Sequence, residues 1–173
     1  MITTASIKSM RKWAVSATKI RLWESILSLI LMDTGSRSYQ NVNKGIKLRE
    51  NTFKLLYCND FHNRSEMPKQ YDLFWEETPE VSEEDRKFIS NRVDAIAEKI
   101  DEIDEAINKA AVKWTTDRMS KVDLTILRLA YYEMKIDEDI PEKVAVDQAI
   151  ELAKKYGTDD SPSFVNGVLA KLF

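Results

Sequence analysis

Residues 120–134 read S-K-V-D-L-T-I-L-R-L-A-Y-Y-E-M. Ser120 followed by Asp123 is typical of a helix start, because a serine oxygen can accept a backbone N–H of the first turn. The apolar residues of the predicted helix lie on nearly every side of it: Leu124, Ile126, Leu127, Leu129, Ala130 and Met134. A helix that is apolar all round is covered by neighbours. The stretch therefore predicts the central helix of a bundle.

Two shorter helices are predicted after this central helix. Residues 139–141 form a predicted turn, and Gly157 is a common kind of C-terminal stop for the helix between them. The predicted inward stripe of that helix is Val146, Ala149, Ile150, Ala153 and Tyr156. Asp160 and Ser161, with Pro162 in the first turn, predict the start of the last helix. The last helix is expected to bury Val165, Val168, Leu169 and Leu172.

The longest helical pattern precedes the central helix and is predicted to start at Ser82. Apolar residues then recur in alternating steps of four and three: Ile89, Val93, Ile96, Ile100, Ile103, Ile107, Ala110 and Trp114. This seam is typical of a coiled coil, but the apolar blocks on both sides favour a member of a bundle. A break near Lys99–Glu102 is compatible with either interpretation.

The N-terminal part completes the predicted architecture. Helices are expected at about Ile46–His62 and Lys69–Glu76, and no stretch shows the alternation of a strand. Residues 1–45 are interpreted as an N-terminal extension that is weakly ordered or forms an amphipathic helix. The predicted fold is all-α, a compact helical bundle of about seven helices in two subdomains, residues 46–113 and 114–173.

Composition narrows the classes of function. Cys58 is the only cysteine of the 173 residues, which excludes an intrachain disulfide and is typical of a cytoplasmic protein. One cysteine and one histidine, His62, are too few for a Cys/His zinc site. The sequence contains no Gly-rich phosphate loop and no recognisable nucleophile–base motif. We therefore expect neither an enzyme nor a bound metal or cofactor.

Positive charge is concentrated near the N-terminus. Residues 1–50 carry nine Lys/Arg and three Asp/Glu, a net charge of +6, whereas the remainder has a net charge of −9. The candidates for contact with phosphate groups are Lys44, Lys47, Arg49 and Lys54. Solvated surface charge is the alternative, and Arg49, which lies nearer the apolar stripe, could instead pair with a carboxylate.

A series of residues, mostly in the last third of the chain, matches a known family. They are Trp114, Arg118, Ser120, Val122, Asp123, Ile126–Ala130, Tyr132, Glu133, Ile140–Pro141, Lys143–Val146, Ala149–Gly157, Asp160–Pro162 and Phe164–Leu169. These blocks resemble the NusB family of transcription antitermination factors. A weaker match extends back through Leu48–Glu50 and Phe53–Tyr57, so that the resemblance covers about residues 46–173.

The resemblance implies a non-catalytic RNA-binding protein. Members of the family bind the boxA element of nascent RNA, notably of ribosomal RNA operons, together with the ribosomal protein NusE. They act on RNA polymerase in an antitermination complex with other Nus factors. The same fold also forms the RNA-binding front end of a ribosomal RNA cytosine methyltransferase. A protein-interaction or rRNA-binding module without catalysis is therefore the alternative function.

The resemblance also implies roles for individual residues. It places Phe164 at an RNA contact, beside the helix start at Asp160 and Ser161. It places Tyr57, Phe61 and Asp123 at the contact with NusE. For the aromatic residues, the alternative to a contact with RNA or NusE is ordinary packing within the protein. For Asp160 and Ser161, the alternative to a contact with RNA is a plain helix cap.

Physical arguments bear on the RNA-contact residues. Phe164 lies about 90° from the centre of the predicted buried face, so its ring should be partly exposed and able to stack an unpaired base. The free backbone N–H groups at the helix start, Asp160 and Ser161, can bind an RNA phosphate, whereas the carboxylate of Asp160 should repel phosphate and lower the affinity for RNA. Two departures from the family pattern are the pair Asp147-Gln148, where Asn-Glu is common, and a thinner basic cluster. The oligomeric state is left open between a monomer and a homodimer formed through the seam from Ile89 to Trp114.

Overall fold

The computed structural model describes residues 42–111 and 114–172. Its helices are α1 (42–59), α2 (Met67–Glu77), α3 (Glu83–Glu98), α4 (Ile100–Ala110), α5 (Lys121–Lys135), α6 (Glu142–Tyr156) and α7 (Ser161–Leu169), with a 3-10 turn at Thr116–Arg118. No residue within the two described ranges belongs to a strand. The predicted all-α class is confirmed.

Helix α5 is the central element, as predicted. All residues from Asp123 to Ala130 are buried, together with Glu133 and Met134. The helix packs against α3, α4, α6 and α7. Its start is the predicted cap, in which the N–H of Asp123 donates to Oγ of Ser120 at 3.1 Å. Burial on every side therefore explains why this stretch is apolar all round.

The long pattern before α5 is broken into two helices. Helix α3 ends at Glu98 and α4 begins at Ile100, with a turn at Lys99 between them. The prediction that the seam continues to Trp114 was wrong, because α4 ends at Ala110 and the Trp114 side chain is 50% exposed. The backbone turns at Ala111, whose C=O accepts the N–H of Trp114.

Other helix limits and buried faces differ in detail from the sequence prediction. Helix α1 ends at Asn59 instead of His62, and its described part already begins at Val42. The fully buried residues of α6 are Ala145, Ala149, Leu152 and Ala153, whereas Val146, Ile150 and Tyr156 are half-buried. Helix α6 packs against α5 and α7, and its small buried side chains let the helices approach closely.

One hydrophobic core runs through the helices of residues 46–173, from Phe53 in α1 to Leu169 in α7. The chain divides into two units, Met1–Gly45 and Ile46–Phe173. The predicted extension over residues 1–45 lies outside the described residues except for 42–45. The subdomain boundary at 113/114 remains a prediction. Among the described helices, none has the length and apolar character needed to cross a membrane.

A close backbone approach fixes the junction between α6 and α7 at Gly157. The N–H of Gly157 donates to the C=O of Ala153 at 2.9 Å. A Cβ atom at position 157 would lie 2.7 Å from that same oxygen and would overlap the side chain of Ser161. Only glycine fits here without a shift of α7, because real Cβ atoms do not approach backbone oxygens this closely.

Candidate nucleic-acid and partner interface

Three of the predicted phosphate contacts are exposed lysines of α1. Lys44 and Lys47 are exposed, and the Lys54 side chain is 40% exposed. The ammonium group of Lys54 lies 3.1 Å from Oε1 of Glu50. These side chains lie at the surface, and Lys54 shares its charge with a neighbouring carboxylate.

The carboxylate of Glu50 organises a cluster of donors between α1 and α6, made of Lys54, Lys155 and Tyr156. Lys155 donates to Oε2 at 2.8 Å, and the Tyr156 hydroxyl donates to Oε1. Burial raises the pKa of Glu50, but the hydrogen bonds from Lys155, Tyr156 and Lys54 outweigh it and lower that pKa to about 2. Glu50 therefore stays ionised at neutral pH, and the cluster keeps one net positive charge.

The fourth predicted phosphate contact, Arg49, points into the protein. Its Nε–H donates to both carboxylate oxygens of Glu133 on α5, and its side chain is only 10% exposed. A guanidinium in this position stabilises the buried carboxylate of Glu133, which also has the guanidinium of Arg92 at 3.8 Å. The structure thus favours the alternative interpretation of Arg49, an ion pair, and its contact with RNA stays a prediction. The positive charge of Arg49 alone did not indicate whether its side chain turns toward the solvent or toward Glu133.

An aromatic row lies along α1 at the predicted NusE contact. The ring centroids of Tyr57 and Phe61 are 5.0 Å apart, and Phe53 connects Tyr57 to Tyr156 of α6 with centroid distances of 6.4 and 5.0 Å. Phe53 is buried and Phe61 is 57% exposed. The row therefore runs from the core to the surface and presents an apolar end at Phe61, which is suited to a protein partner.

Beside Phe61, the end of α1 is held by a buried arginine that the sequence analysis did not assign to the site. Arg128 of α5 donates to Asp60 at 2.7 Å and to both oxygens of Asp104 in α4, also at 2.7 Å. Burial lowers the pKa of Arg128, but these hydrogen bonds outweigh it and raise that pKa. The bridge fixes the position from which Phe61 projects.

Asp123, the third predicted NusE contact, lies at the first turn of α5 and is only 9% exposed. Its Oδ1 atom is buried without a hydrogen-bond partner in the described residues. An unsatisfied carboxylate oxygen costs free energy that a donor from a bound protein would recover. Because Asp123 is so little exposed, a donor from a partner would have to enter the protein surface beside the first turn of α5.

The two residues at the start of α7 have different surroundings. Asp160 is exposed and its side chain makes no capping hydrogen bond. Ser161 is 2% exposed, and its hydroxyl accepts the N–H of Thr158 at 2.9 Å. The backbone N–H of Ser161 also donates to the C=O of Thr158. Ser161 therefore shapes the loop, while Asp160 faces the solvent.

Phe164 is half-buried, as its angular position predicts, and packs against the core. Its ring stands nearly perpendicular to that of Trp114, at 79°, with 6.5 Å between the centroids. Trp114 was predicted to lie in the seam, and its contact with Phe164 was not predicted. A signal that could have found it is the polar run Thr115–Asp117 after Trp114, which ends the helical pattern.

Comparison with known proteins gives consistent results. The sequence model of the NusB family matches residues 46–173. The transcription antitermination protein NusB of Agathobacter rectalis is 49% identical over 125 residues, which is 72% of this chain and 95% of that protein. The protein of the same name from Geobacter sulfurreducens is 40% identical over 72% of this chain and 89% of its own length.

Solved structures share the architecture as well. NusB of T. maritima superposes with a TM-score of 0.64 at 33% identity, over 73% of this chain and 88% of that one. A crystal structure of antitermination factors NusB and NusE in complex with dsRNA has a TM-score of 0.63 at 27% identity, over 73% and 93% of the two chains. The match spans the whole bundle from α1 to α7, and the chain is a member of the NusB family.

Proposed function

We propose that this protein is a transcription antitermination factor that binds boxA-type RNA together with the ribosomal protein NusE. The proposal is supported most by the partial exposure of the Phe164 ring, which lies close to the exposed Asp160 at the start of α7. The fold that presents this ring is shared with a NusB–NusE complex that contains RNA.

Within this proposal, the RNA contacts divide into two kinds. Lys44, Lys47 and Lys54 bind phosphates and set the dependence of the affinity on salt. Phe164 stacks on an unpaired base. Asp160 weakens the interaction by repelling phosphate, and Ser161 holds the loop beneath them.

The NusE contact lies at the exposed end of the aromatic row. Phe61 provides the apolar contact, Tyr57 supports it, and the unsatisfied oxygen of Asp123 accepts a hydrogen bond from the partner. Aromatic side chains at the centre of an interface commonly provide most of its binding energy.

The wider assembly is also part of the proposal. The protein works in the cytoplasm with RNA polymerase and other Nus factors, and it does so without catalysis. It is a monomer when bound to NusE and RNA. The seam residues Ile89, Val93 and Ile96 are buried within the bundle and are not available to hold a second copy.

Binding of boxA RNA by the full chain, with and without NusE, tests the proposal. Fluorescence anisotropy with labelled boxA RNA should show tighter binding when NusE is present, and an RNA of the same composition in scrambled order should bind more weakly. If neither RNA binds even with NusE present, or if both bind equally, this function is wrong.

A further inference from the structure

Trp114 forms an exposed aromatic surface that the roles proposed above do not use. The Trp114 side chain is 50% exposed, although burial of an indole ring is strongly favourable. Its ring is nearly perpendicular to that of Phe164. Two adjoining rings with perpendicular faces cannot stack on the same base, but each can stack on one of two bases that are turned away from each other.

The backbone that follows Trp114 is held in place at several points. The N–H of Thr116 donates to Oδ1 of Asn108 in α4 at 2.8 Å, and Nδ2 of Asn108 bonds to the Thr116 hydroxyl at 3.2 Å. Met119, which follows the 3-10 turn, is buried in the core. The indole ring is thus presented from a fixed loop, which lowers the entropy cost of binding.

A guanidinium group accompanies the indole ring. Arg118 lies 5.9 Å from the centroid of Trp114 and is exposed. It forms no ion pair with any carboxylate in the described part of the chain. An arginine beside an exposed aromatic ring provides both a stacking plane and hydrogen-bond donors for a nucleotide.

We propose that Trp114, assisted by Arg118, binds a second unpaired base of the RNA next to the base on Phe164. This inference rests on the proposed RNA-binding function. The perpendicular rings favour single-stranded RNA with splayed bases, since the bases of a duplex remain stacked on each other. The exposed carboxylates Asp117 and Asp160 flank the rings in sequence, so binding here depends on stacking more than on charge.

Affinity measurements on the full chain with NusE and boxA RNA test the role of Trp114. Trp114→Ala should weaken RNA binding by about 5- to 100-fold, the range typical for loss of one base–aromatic stack. The slope of log affinity against log salt should stay unchanged, because no phosphate contact is lost. Arg118→Ala should give a smaller loss together with a reduced slope.

Phe88→Ala is a matched control. Phe88 is also an exposed aromatic residue, at 45%, and has the guanidinium of Arg92 5.0 Å from its ring centroid. It lies on α3, outside the proposed RNA surface, so its removal should leave RNA affinity within about twofold of wild type. An equal loss in both variants would contradict a specific role of Trp114.

Tryptophan fluorescence provides a readout that does not depend on the stability of the alanine variant. A base stacked on Trp114 should quench its emission, so saturating RNA should quench the wild-type protein more than Trp114→Phe, which retains the other three tryptophans. If the wild-type protein binds RNA but both proteins are quenched equally, the inference is wrong. If the wild-type protein does not bind RNA at all, the proposed function itself fails.

Discussion

Arg49 on α1 donates its Nε–H to both carboxylate oxygens of Glu133 on α5, at 3.0 and 2.8 Å. Glu133 is 1% exposed, and a second guanidinium, that of Arg92, lies 3.8 Å from its Oε1 atom. Arg49→Ala should destabilise the protein by about 2 kcal/mol, because it removes the hydrogen bonds to a buried carboxylate and leaves only the longer contact with Arg92. Urea unfolding measures this loss.

The same variant separates a structural role of Arg49 from a phosphate contact. At temperatures where Arg49→Ala remains folded, its RNA affinity should keep the salt dependence of the wild-type protein. If Arg49→Ala keeps the stability of the wild-type protein but lowers the slope of log affinity against log salt, then Arg49 contacts an RNA phosphate.

Glu50 should make the stability dependent on pH in the acid range. Its folded-state pKa of about 2 lies below its ordinary value of 4.5, so its contribution is fully present above about pH 4.5 and is lost as the pH falls toward 2. Glu50→Gln should cost about 2 kcal/mol at pH 7 and should flatten this part of the stability curve. Chemical unfolding between pH 2 and pH 7 measures both effects.

Glu151→Gln is the control for Glu50. Glu151 also accepts a hydrogen bond from a lysine, Lys154, at 2.7 Å, but both side chains are well exposed. Loss of such a surface pair should cost about 0.5 kcal/mol or less. If the two variants behave alike, the Glu50 cluster does not stabilise the junction of α1 and α6.

Lys47 should contribute to RNA binding through phosphate contact alone. Lys47→Ala should lower the slope of log affinity against log salt by about 0.7, the value for one phosphate of a single strand. Lys109→Ala serves as the control, since Lys109 is an exposed lysine of α4 that pairs with Glu105. An equal decrease in slope in both variants would mean that the effect reflects net charge and not a site.

Asp160 should reduce RNA affinity by its charge. Asp160→Asn removes an exposed carboxylate at the α7 start and should strengthen boxA binding about twofold, which corresponds to about 0.5 kcal/mol for an exposed charge. The change is measured by fluorescence titration. Asp147→Asn, an exposed position on α6, should have no comparable effect; unchanged or weaker binding by Asp160→Asn would refute the repulsion.

Phe61 should be an anchor for NusE. Phe61→Ala should weaken NusE binding about tenfold, or roughly 1–2 kcal/mol, because the exposed ring would be buried by the partner. The measurement is calorimetric titration without RNA. Thermal stability should change little, since the ring is mostly exposed in the free protein, and Phe88→Ala should bind NusE normally.

Local sequence patterns predicted most of the fold because its helices have strong start signals and regular apolar spacing. Ser120 and Ser82 cap α5 and α3 as predicted, since each cap involves residues only three positions apart. Trp114 was misplaced because a regular apolar spacing continued beyond the point where the backbone turns at Ala111. Periodicity identifies a possible face, but it does not show where a helix ends.

The candidate site was harder to predict, because it depends on residues far apart in the chain. The partner of Arg49 is 84 positions away, and the carboxylates that hold Arg128 are 24 and 68 positions away. A charge in the sequence does not specify whether its side chain turns toward solvent or toward such a partner. Phe164 was different, since its exposure followed from its angle to three buried neighbours on the same short helix.

The tight junction at Gly157 has a consequence for inherited variation. Every missense change of this codon adds at least one carbon atom where Ala153 and Ser161 leave no space. The displaced segment is α7, which carries Phe164. A genetic screen for lost antitermination should therefore recover substitutions at a glycine that has no proposed contact with RNA, and a smaller side chain at position 161 should not compensate for them, because the overlap with the backbone oxygen of Ala153 remains.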